Sequence, residues 1–162
     1  ISTWYLYGVV VIICINQIKN PSDSFVACTV RVNNSILGVL SEQITITGRN
    51  IEEFPHQILN KPILGMPGTC CTETYIYIGP FSHKLEALNA MSYIQTKFFR
   101  FLVLLQKNTQ DALMRVYSFV PIQDFSKSWA DNELYIKYGL TNDEIAFIES
   151  MIRPMDLGGS DE

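Results

Sequence analysis

Several cationic side chains in the C-terminal half of the chain have the spacing of a phosphate-binding surface. The first three are separated by three and seven residues, so on one helix they would share a face. A solvated helix face has the same composition. Phosphate binding is supported because the acids cluster elsewhere, at Glu52, at Glu53 and in the last predicted helix. The cations are Lys97, Arg100, Lys107, Arg115, Lys127 and Lys137.

The chain lacks the local residue patterns of the common catalytic and metal sites. Carboxylate nucleases carry Asp-x-Lys or Glu-x-Lys beside a metal ion, and neither tripeptide occurs here. His56 and His83 have no Cys or His at ligand spacing, and no glycine-rich phosphate loop is present. Ser/His/Asp and Cys/His sites stay open, because their residues need not be adjacent in sequence. We therefore predict no metal, no cofactor and no catalysis for this chain alone.

Composition limits the fold and the partners. The 162 residues are 48% hydrophobic, enough for one real core, and we predict a single α+β domain over residues 1–157. The net charge is -4, so a nucleic acid would have to bind a local basic patch. The cysteines lack zinc-ligand spacing, which predicts reduced thiols in a cytoplasmic protein. They are Cys14, Cys28, Cys70 and Cys71.

An apolar run at residues 4–15 resembles a membrane anchor in composition. It is shorter than the roughly 20 residues of a spanning helix, and it lacks a basic flank and a cleavage site. Its β-branched residues predict a strand buried on both faces, and we expect no membrane association. Because the chain begins at Ile1 rather than at Met, we expect it to be a fragment of a longer polypeptide.

Residues 1–80 have the composition of a β-sheet. Alternating and β-branched stretches predict a mixed or antiparallel sheet that packs against helices formed by residues 82–153. Strands are predicted at 25–32, 35–46 and 72–78, the last of them stopped by Gly79 and Pro80. Prolines and glycines between residues 62 and 68 predict a loop.

A long helix is predicted next. It begins after a cap at Ser82 and runs from Leu85 to Lys107. Apolar residues recur at intervals of three and four residues, which predicts one buried stripe away from the cations. The stripe consists of Leu88, Met91, Ile94 or Gln95, Phe98, Leu102 and Leu105.

Two shorter helices are predicted near the C-terminus. Asp131 is expected to cap the first, which ends at Tyr138. A capping box formed by Thr141 and Glu144 opens the second, which ends at Ile152. Residues 116–122 are predicted to be extended and residues 158–162 to be disordered. Aromatic side chains should pack these helices onto the sheet, namely Tyr117, Phe119, Phe125, Trp129, Tyr135 and Tyr138.

A set of motifs between residues 70 and 157 resembles the C-terminal region of adenine-specific DNA methyltransferases, in particular fused restriction–modification polypeptides and modification methylases. Residues 1–69 show no such likeness. The motifs are Ala87-x-Asn89, Tyr93-Ile-x-Thr-Lys-Phe-x-Arg-Phe-Leu, Tyr117-x-Phe-Val-Pro-x-Gln-Asp-Phe, Trp129, Leu134-Tyr-x-Lys-Tyr-Gly-Leu-Thr and Glu144-Ile-x-Phe-Ile-Glu-Ser-Met-Ile-Arg-Pro-Met.

The resemblance implies a domain that recognises double-stranded DNA. In that family the catalytic domain lies N-terminal to this region, binds S-adenosylmethionine and carries an Asn-Pro-Pro-Tyr motif, which is not in this sequence. The chain would position the duplex while the catalytic domain flips and methylates an adenine. Residues 60–71 are a candidate groove-reading loop. The candidate DNA-binding side chains are Lys97, Arg100, Lys107, Arg115, Lys127 and Lys61.

Two other functions stay open at this point. The chain could be an interaction or dimerisation domain of the same polypeptide. Such a domain would hold the methylase and restriction functions together through its apolar N-terminal strand. It could also be a free-standing restriction endonuclease, which the missing metal motif disfavours. The resemblance includes Thr96, Gln123 and Asp124 but implies no contact role for them, and Arg100 could instead pair with Asp124 or a helix end.

Overall fold

The computed structural model describes residues 2–6, 9–13, 42–48, 53–66, 75–109, 112 and 114–155. They form an α+β fold, as predicted, with antiparallel strands followed by helices. A 3-10 helix at Met114–Tyr117 lies between the second and third α-helices. The strands are β1 (Ser2–Leu6), β2 (Val9–Ile13), β3 (Glu42–Ile46), β4 (Ile63–Gly65) and β5 (Ile76–Phe81), and the helices are α1 (Lys84–Gln95), α2 (Lys97–Gln106), α3 (Asp131–Lys137) and α4 (Asn142–Met151).

The N-terminal apolar run forms a hairpin. Strands β1 and β2 pair antiparallel, with Ser2 opposite Ile13 and Leu6 opposite Val9. The prediction of one continuous strand at residues 4–15 was therefore wrong, because residues 2–6 and 9–13 form two separate antiparallel strands. The strand predicted at 25–32, the first part of that at 35–46, the four cysteines and the tail at 158–162 lie outside the described residues.

Strand β3 is the centre of a three-stranded antiparallel sheet in the order β4–β3–β5. Ile44 and Ile46 are fully buried and lie opposite Ile78 and Ile76 of β5. Strand β4 falls within residues 62–68, which were predicted to be a loop, so this prediction was wrong. A strand of three residues at a sheet edge is too short to show an alternating pattern.

Strand β5 continues through the residues that were predicted to stop it. Gly79 has a φ of 144°, and a Cβ there would lie 3.2 Å from the carbonyl oxygen of Glu42. The pairing of β3 with β5 shifts register between Glu42 and Ile44, next to this glycine. Gly79 therefore allows an irregularity within the strand, and Phe81 still pairs with Glu42.

The predicted long helix is broken at Thr96. This residue has an extended backbone (φ -62°, ψ 152°), and its hydroxyl oxygen accepts a hydrogen bond from the Phe99 N–H at 3.1 Å. Thr96 is thus the N-cap of α2, directly after the end of α1. As a result α1 packs on the three-stranded sheet, whereas α2 packs on the 3-10 helix, α3 and α4.

The break also changes which residues are buried. Leu105 of the predicted stripe is 58% exposed and Leu88 is also exposed. The stripe cannot continue from one helix into the other, because the extended residue between them changes the direction of the chain. Two members of the predicted stripe, Ile94 and Phe98, are buried as predicted. The buried side chains that the stripe did not include are Ala87, Ala90 and Tyr93 of α1 and Phe99 and Val103 of α2.

The aromatic residues only partly follow the packing prediction. Phe119 and Tyr138 are exposed, whereas the other four are buried. The segment predicted to be extended at 116–122 begins within the 3-10 helix, so its first residues are helical. The four aromatics that join the core as predicted are Tyr117, Phe125, Trp129 and Tyr135.

The capping box of α4 is confirmed. The Thr141 hydroxyl accepts the Glu144 N–H at 3.3 Å, and the Glu144 carboxylate accepts the Thr141 N–H at 2.8 Å. The preceding turn contains Gly139 with a φ of 64°, a conformation that favours glycine after a helix.

We expect Thr141→Ala to lower the free energy of unfolding by about 1 kcal/mol, because one N–H at the start of α4 loses its acceptor. Urea denaturation followed by circular dichroism measures the change. Thr141→Ser keeps the hydroxyl and should stay close to the wild type. Equal losses in both variants would show that the methyl group, not the cap, matters.

Candidate nucleic-acid interface

Arg100 lies inside the protein. Arg100 is only 1% exposed. Its guanidinium donates hydrogen bonds to three backbone carbonyl oxygens. Nε binds the oxygen of Thr96 at 3.2 Å, and Nη1 binds those of Arg153 at 2.9 Å and Gln57 at 3.4 Å. Burial lowers the pKa of Arg100 to about 10, an effect that the nearby Asp131 opposes. The predicted surface position of Arg100 is therefore corrected: its guanidinium joins three segments of the chain.

Lys107 and Lys97 are also engaged within the fold. Lys107 is 3% exposed, and its ammonium donates to the carbonyl of Thr109 at 2.9 Å. Lys97 forms a salt bridge with Glu149 of α4, whose carboxylate also accepts the Tyr135 hydroxyl at 2.8 Å. The three cations predicted to share one exposed face do not form such a face, because α2 packs against neighbours on several sides.

The start of α2 is held by a side chain from α3. The Asp131 carboxylate accepts the N–H of Lys97 at 3.1 Å and that of Phe98 at 2.8 Å. The prediction that Asp131 caps its own helix was wrong, since the N-cap of α3 is Ala130, whose N–H donates to Glu133 at 3.2 Å. Burial raises the pKa of Asp131, although the two N–H groups act in the opposite direction.

Other predicted cations do reach the surface. Arg115 is exposed and donates to the Asn108 side chain at 3.3 Å. Lys61 is exposed as well and lies just before β4. The candidate groove-reading loop at 60–71 contains β4 and then continues into residues outside the described part, so its role stays a prediction.

Two lysines and a tryptophan form a cluster on the remaining surface. The ammonium of Lys127 lies 4.1 Å from the ring centroid of Trp129, and that of Lys137 lies 4.5 Å from the same centroid. Lys127 comes from the loop before α3 and Lys137 from the last turn of α3. We call these three residues, with Gln123 and Tyr138, the Trp129 cluster.

Hydrogen bonds fix the arrangement of this cluster. The Lys137 ammonium donates to Oε1 of Gln123 at 2.6 Å, and Nε2 of Gln123 donates to the Tyr138 hydroxyl at 2.8 Å. The indole N–H of Trp129 donates to the carbonyl of Asp124 at 2.8 Å. Each side chain is therefore held by a neighbour that lies elsewhere in the sequence.

The cluster is anchored to α1 by buried polar contacts. The amide nitrogen of Asn89 donates to the Phe125 carbonyl at 2.9 Å, and the Tyr93 hydroxyl donates to the Pro121 carbonyl at 2.8 Å. Burial raises the pKa of the Tyr93 hydroxyl, so it stays a hydrogen-bond donor at neutral pH. These bonds position the loop that carries Gln123.

Two carboxylates lie beside the lysines. Glu133 accepts a hydrogen bond from Lys127 at 2.8 Å, and both side chains of this pair are about half exposed. Asp124 is exposed, and hydrogen bonds from Ser126 lower its pKa, with further contributions from Lys127 and Lys137. The surface thus carries ammonium and carboxylate groups side by side.

Sequence reasoning did not bring these residues together. Lys127 was a candidate, and Lys137 was one of the spaced cations, but no periodicity relates either of them to Trp129. The motifs of the family resemblance contain Gln123, Trp129 and Lys137, and this was the only available signal.

Within the described ranges, no group of three or more His, Cys, Asp or Glu side chains could hold a metal ion. His56 is half-buried and His83 is exposed. No helix in the described part of the chain is long and apolar enough to cross a membrane.

The fold and this surface define an α+β protein with a lysine–tryptophan cluster of mixed polar chemistry. Comparisons of the chain with protein-family models, with curated proteins and with solved structures find no significant match.

Proposed function

We propose that this chain is the DNA target-recognition domain of an adenine-specific DNA methyltransferase from a bacterial restriction–modification system, and that it is non-catalytic alone. The observation that supports the proposal is the convergence of motif residues from three segments. Asn89, Gln123 and Lys137 are far apart in sequence but belong to one hydrogen-bonded region around Trp129. Lysine is one of the side chains with which proteins contact DNA phosphates, and the buried Gln123 holds Lys137 in place.

The partners follow from this role. The chain would bind double-stranded DNA and would lie beside an N-terminal catalytic domain that binds S-adenosylmethionine, in the cytoplasm. That domain would flip the target adenine and methylate it, while this chain orients the duplex. We therefore expect no methyl transfer by this chain when it is assayed alone.

The direct test is duplex binding by the isolated chain at low salt, where phosphate contacts are strongest. Fluorescence anisotropy with a labelled random-sequence duplex should give a Kd of about 100 μM or tighter. Duplexes retained by the protein are then sequenced to find a preferred site. If neither the random pool nor the enriched duplexes bind, the proposed function is wrong.

An interaction domain is the second candidate, and exposed apolar side chains favour it. Ile136 is 81% exposed, and Phe147 and Leu105 are also largely exposed on α4 and α2. Light scattering with and without DNA separates the two functions. A stable dimer that does not bind DNA would support the interaction domain. The endonuclease alternative requires magnesium-dependent cleavage of the same duplex.

A further inference from the structure

We infer that Lys127 and Lys137, braced against the Trp129 ring, bind one phosphate group of the DNA backbone, and that Gln123 positions Lys137 for this contact. The inference rests on the proposed function and specifies the contact through which the duplex is held.

The geometry of the two ammonium groups supports a shared phosphate. Both lie within 4.5 Å of one ring centroid, so the two ammonium groups are less than about 9 Å apart, a span that two oxygens of one phosphate can bridge with a hydrogen bond to each lysine. Attraction to the ring face holds an ammonium in place without neutralising its charge. A lysine ammonium has three N–H donors. Lys137 donates one hydrogen bond to Gln123, and Lys127 donates one to Glu133. Donors are therefore left for phosphate oxygens.

The neighbouring carboxylates are held by backbone groups. One oxygen of Glu133 accepts the Ala130 N–H at 3.2 Å, and one oxygen of Asp124 accepts the Ser126 N–H at 2.9 Å. An exposed pair such as Lys127 and Glu133 is weak, so a phosphate can compete with the carboxylate for the ammonium. Removing the charge of Glu133 should consequently strengthen DNA binding.

Gln123 acts through Lys137. Its side chain is buried, and its amide nitrogen donates to the Tyr138 hydroxyl, which leaves the amide oxygen directed at the Lys137 ammonium. A neutral acceptor fixes the position of the ammonium and preserves its charge. Gln123 is thus a positioning residue. Glutamate at this position would still hold Lys137 but would neutralise it.

Three of the other predicted cations are less suited to this contact. Arg100 and Lys107 are buried and bind carbonyl oxygens, and Lys97 is paired with Glu149. Lys84 is exposed at the first position of α1 and provides a matched control of equal charge.

The experiment measures the dissociation constant for one labelled duplex between about 50 and 200 mM salt, since each phosphate contact adds about 0.9 to the slope of log K against log salt. The variants are Lys137→Gln, Lys127→Gln with Lys137→Gln, Glu133→Gln, Gln123→Glu and Lys84→Gln, each checked for its Tm. We expect the double variant to lower the magnitude of the slope by about 0.9, the value for one phosphate, whereas a change near 1.8 would mean that the lysines contact two separate phosphates. Glu133→Gln should tighten binding about two- to fivefold.

Gln123→Glu tests the positioning role when it is made both in the wild type and together with Lys137→Gln. It should weaken DNA binding more in the wild type, where it neutralises the Lys137 ammonium, than in the Lys137→Gln background. A purely structural glutamine would give the same fold-change in both backgrounds. Lys84→Gln should leave the slope unchanged.

The outcomes separate the inference from the proposed function. If the wild type binds DNA and the double variant keeps its slope, the phosphate site is wrong and DNA recognition stands. An equal loss of slope in Lys84→Gln would also overturn the site, since any surface lysine would then have the same effect. If the wild type binds no DNA at low salt, both are wrong.

Discussion

Replacement of Arg100 by methionine is expected to lower the free energy of unfolding by about 3 kcal/mol. The guanidinium binds the carbonyl oxygens of Thr96, Gln57 and Arg153, and methionine has a similar length but no donor. Buried carbonyl groups left without a partner cost about 1 to 3 kcal/mol each, part of which is recovered when water enters. Two of the three carbonyls belong to segments far from α2, so we expect these segments to loosen together.

Urea denaturation measures this loss, with Arg115→Met as the matched control. Arg115 is exposed, and its replacement should change stability by no more than about 0.5 kcal/mol. Where a buried charge is paired with another charged side chain, replacing both by apolar residues can leave the free energy of unfolding unchanged. The acceptors of Arg100 are backbone carbonyls, which the substitution cannot remove, so they lose their hydrogen-bond partner. Unchanged stability of Arg100→Met would contradict the role assigned to these three hydrogen bonds.

Replacement of Asp131 by alanine is expected to cost about 2 kcal/mol. It removes the acceptor for the N–H groups of Lys97 and Phe98 and a negative charge at the start of α2. Thermal and urea denaturation measure the change. Asn132→Ala is the control, because Asn132 is the next, exposed residue of α3. If Asp131→Ala lowers the free energy of unfolding no more than Asn132→Ala does, α2 does not depend on its hydrogen bonds to Asp131.

Asp131→Asn adds a test of pH dependence. Burial raises the pKa of Asp131 in the folded state, so the folded protein holds this proton more tightly than the unfolded chain. Protonation of Asp131 therefore stabilises the fold below its folded pKa, and this contribution is lost as the pH rises through that pKa. Asparagine cannot titrate. The stability of the wild type minus that of Asp131→Asn should therefore increase as the pH falls from neutral to acid.

Local signals in the sequence predicted the parts of the fold that depend on nearby residues. The capping box of Thr141 and Glu144 was predicted correctly, because its hydrogen bonds involve residues only three positions apart. The β-character of β3 and β5 followed from their β-branched and aromatic composition. Together these features determined the α+β class.

The tertiary structure alone decided where the long helix breaks and which cations are buried. Asp131 reaches the start of α2 across 33 residues, and the carbonyls that hold Arg100 come from Gln57 and Arg153, at separations of 43 and 53 residues. Helical periodicity relates residues on one element and contains no information about such partners. For the same physical reason, the pairing of Lys127 and Lys137 around Trp129 depends on how the loop before α3 folds back onto that helix, which no spacing in the sequence specifies.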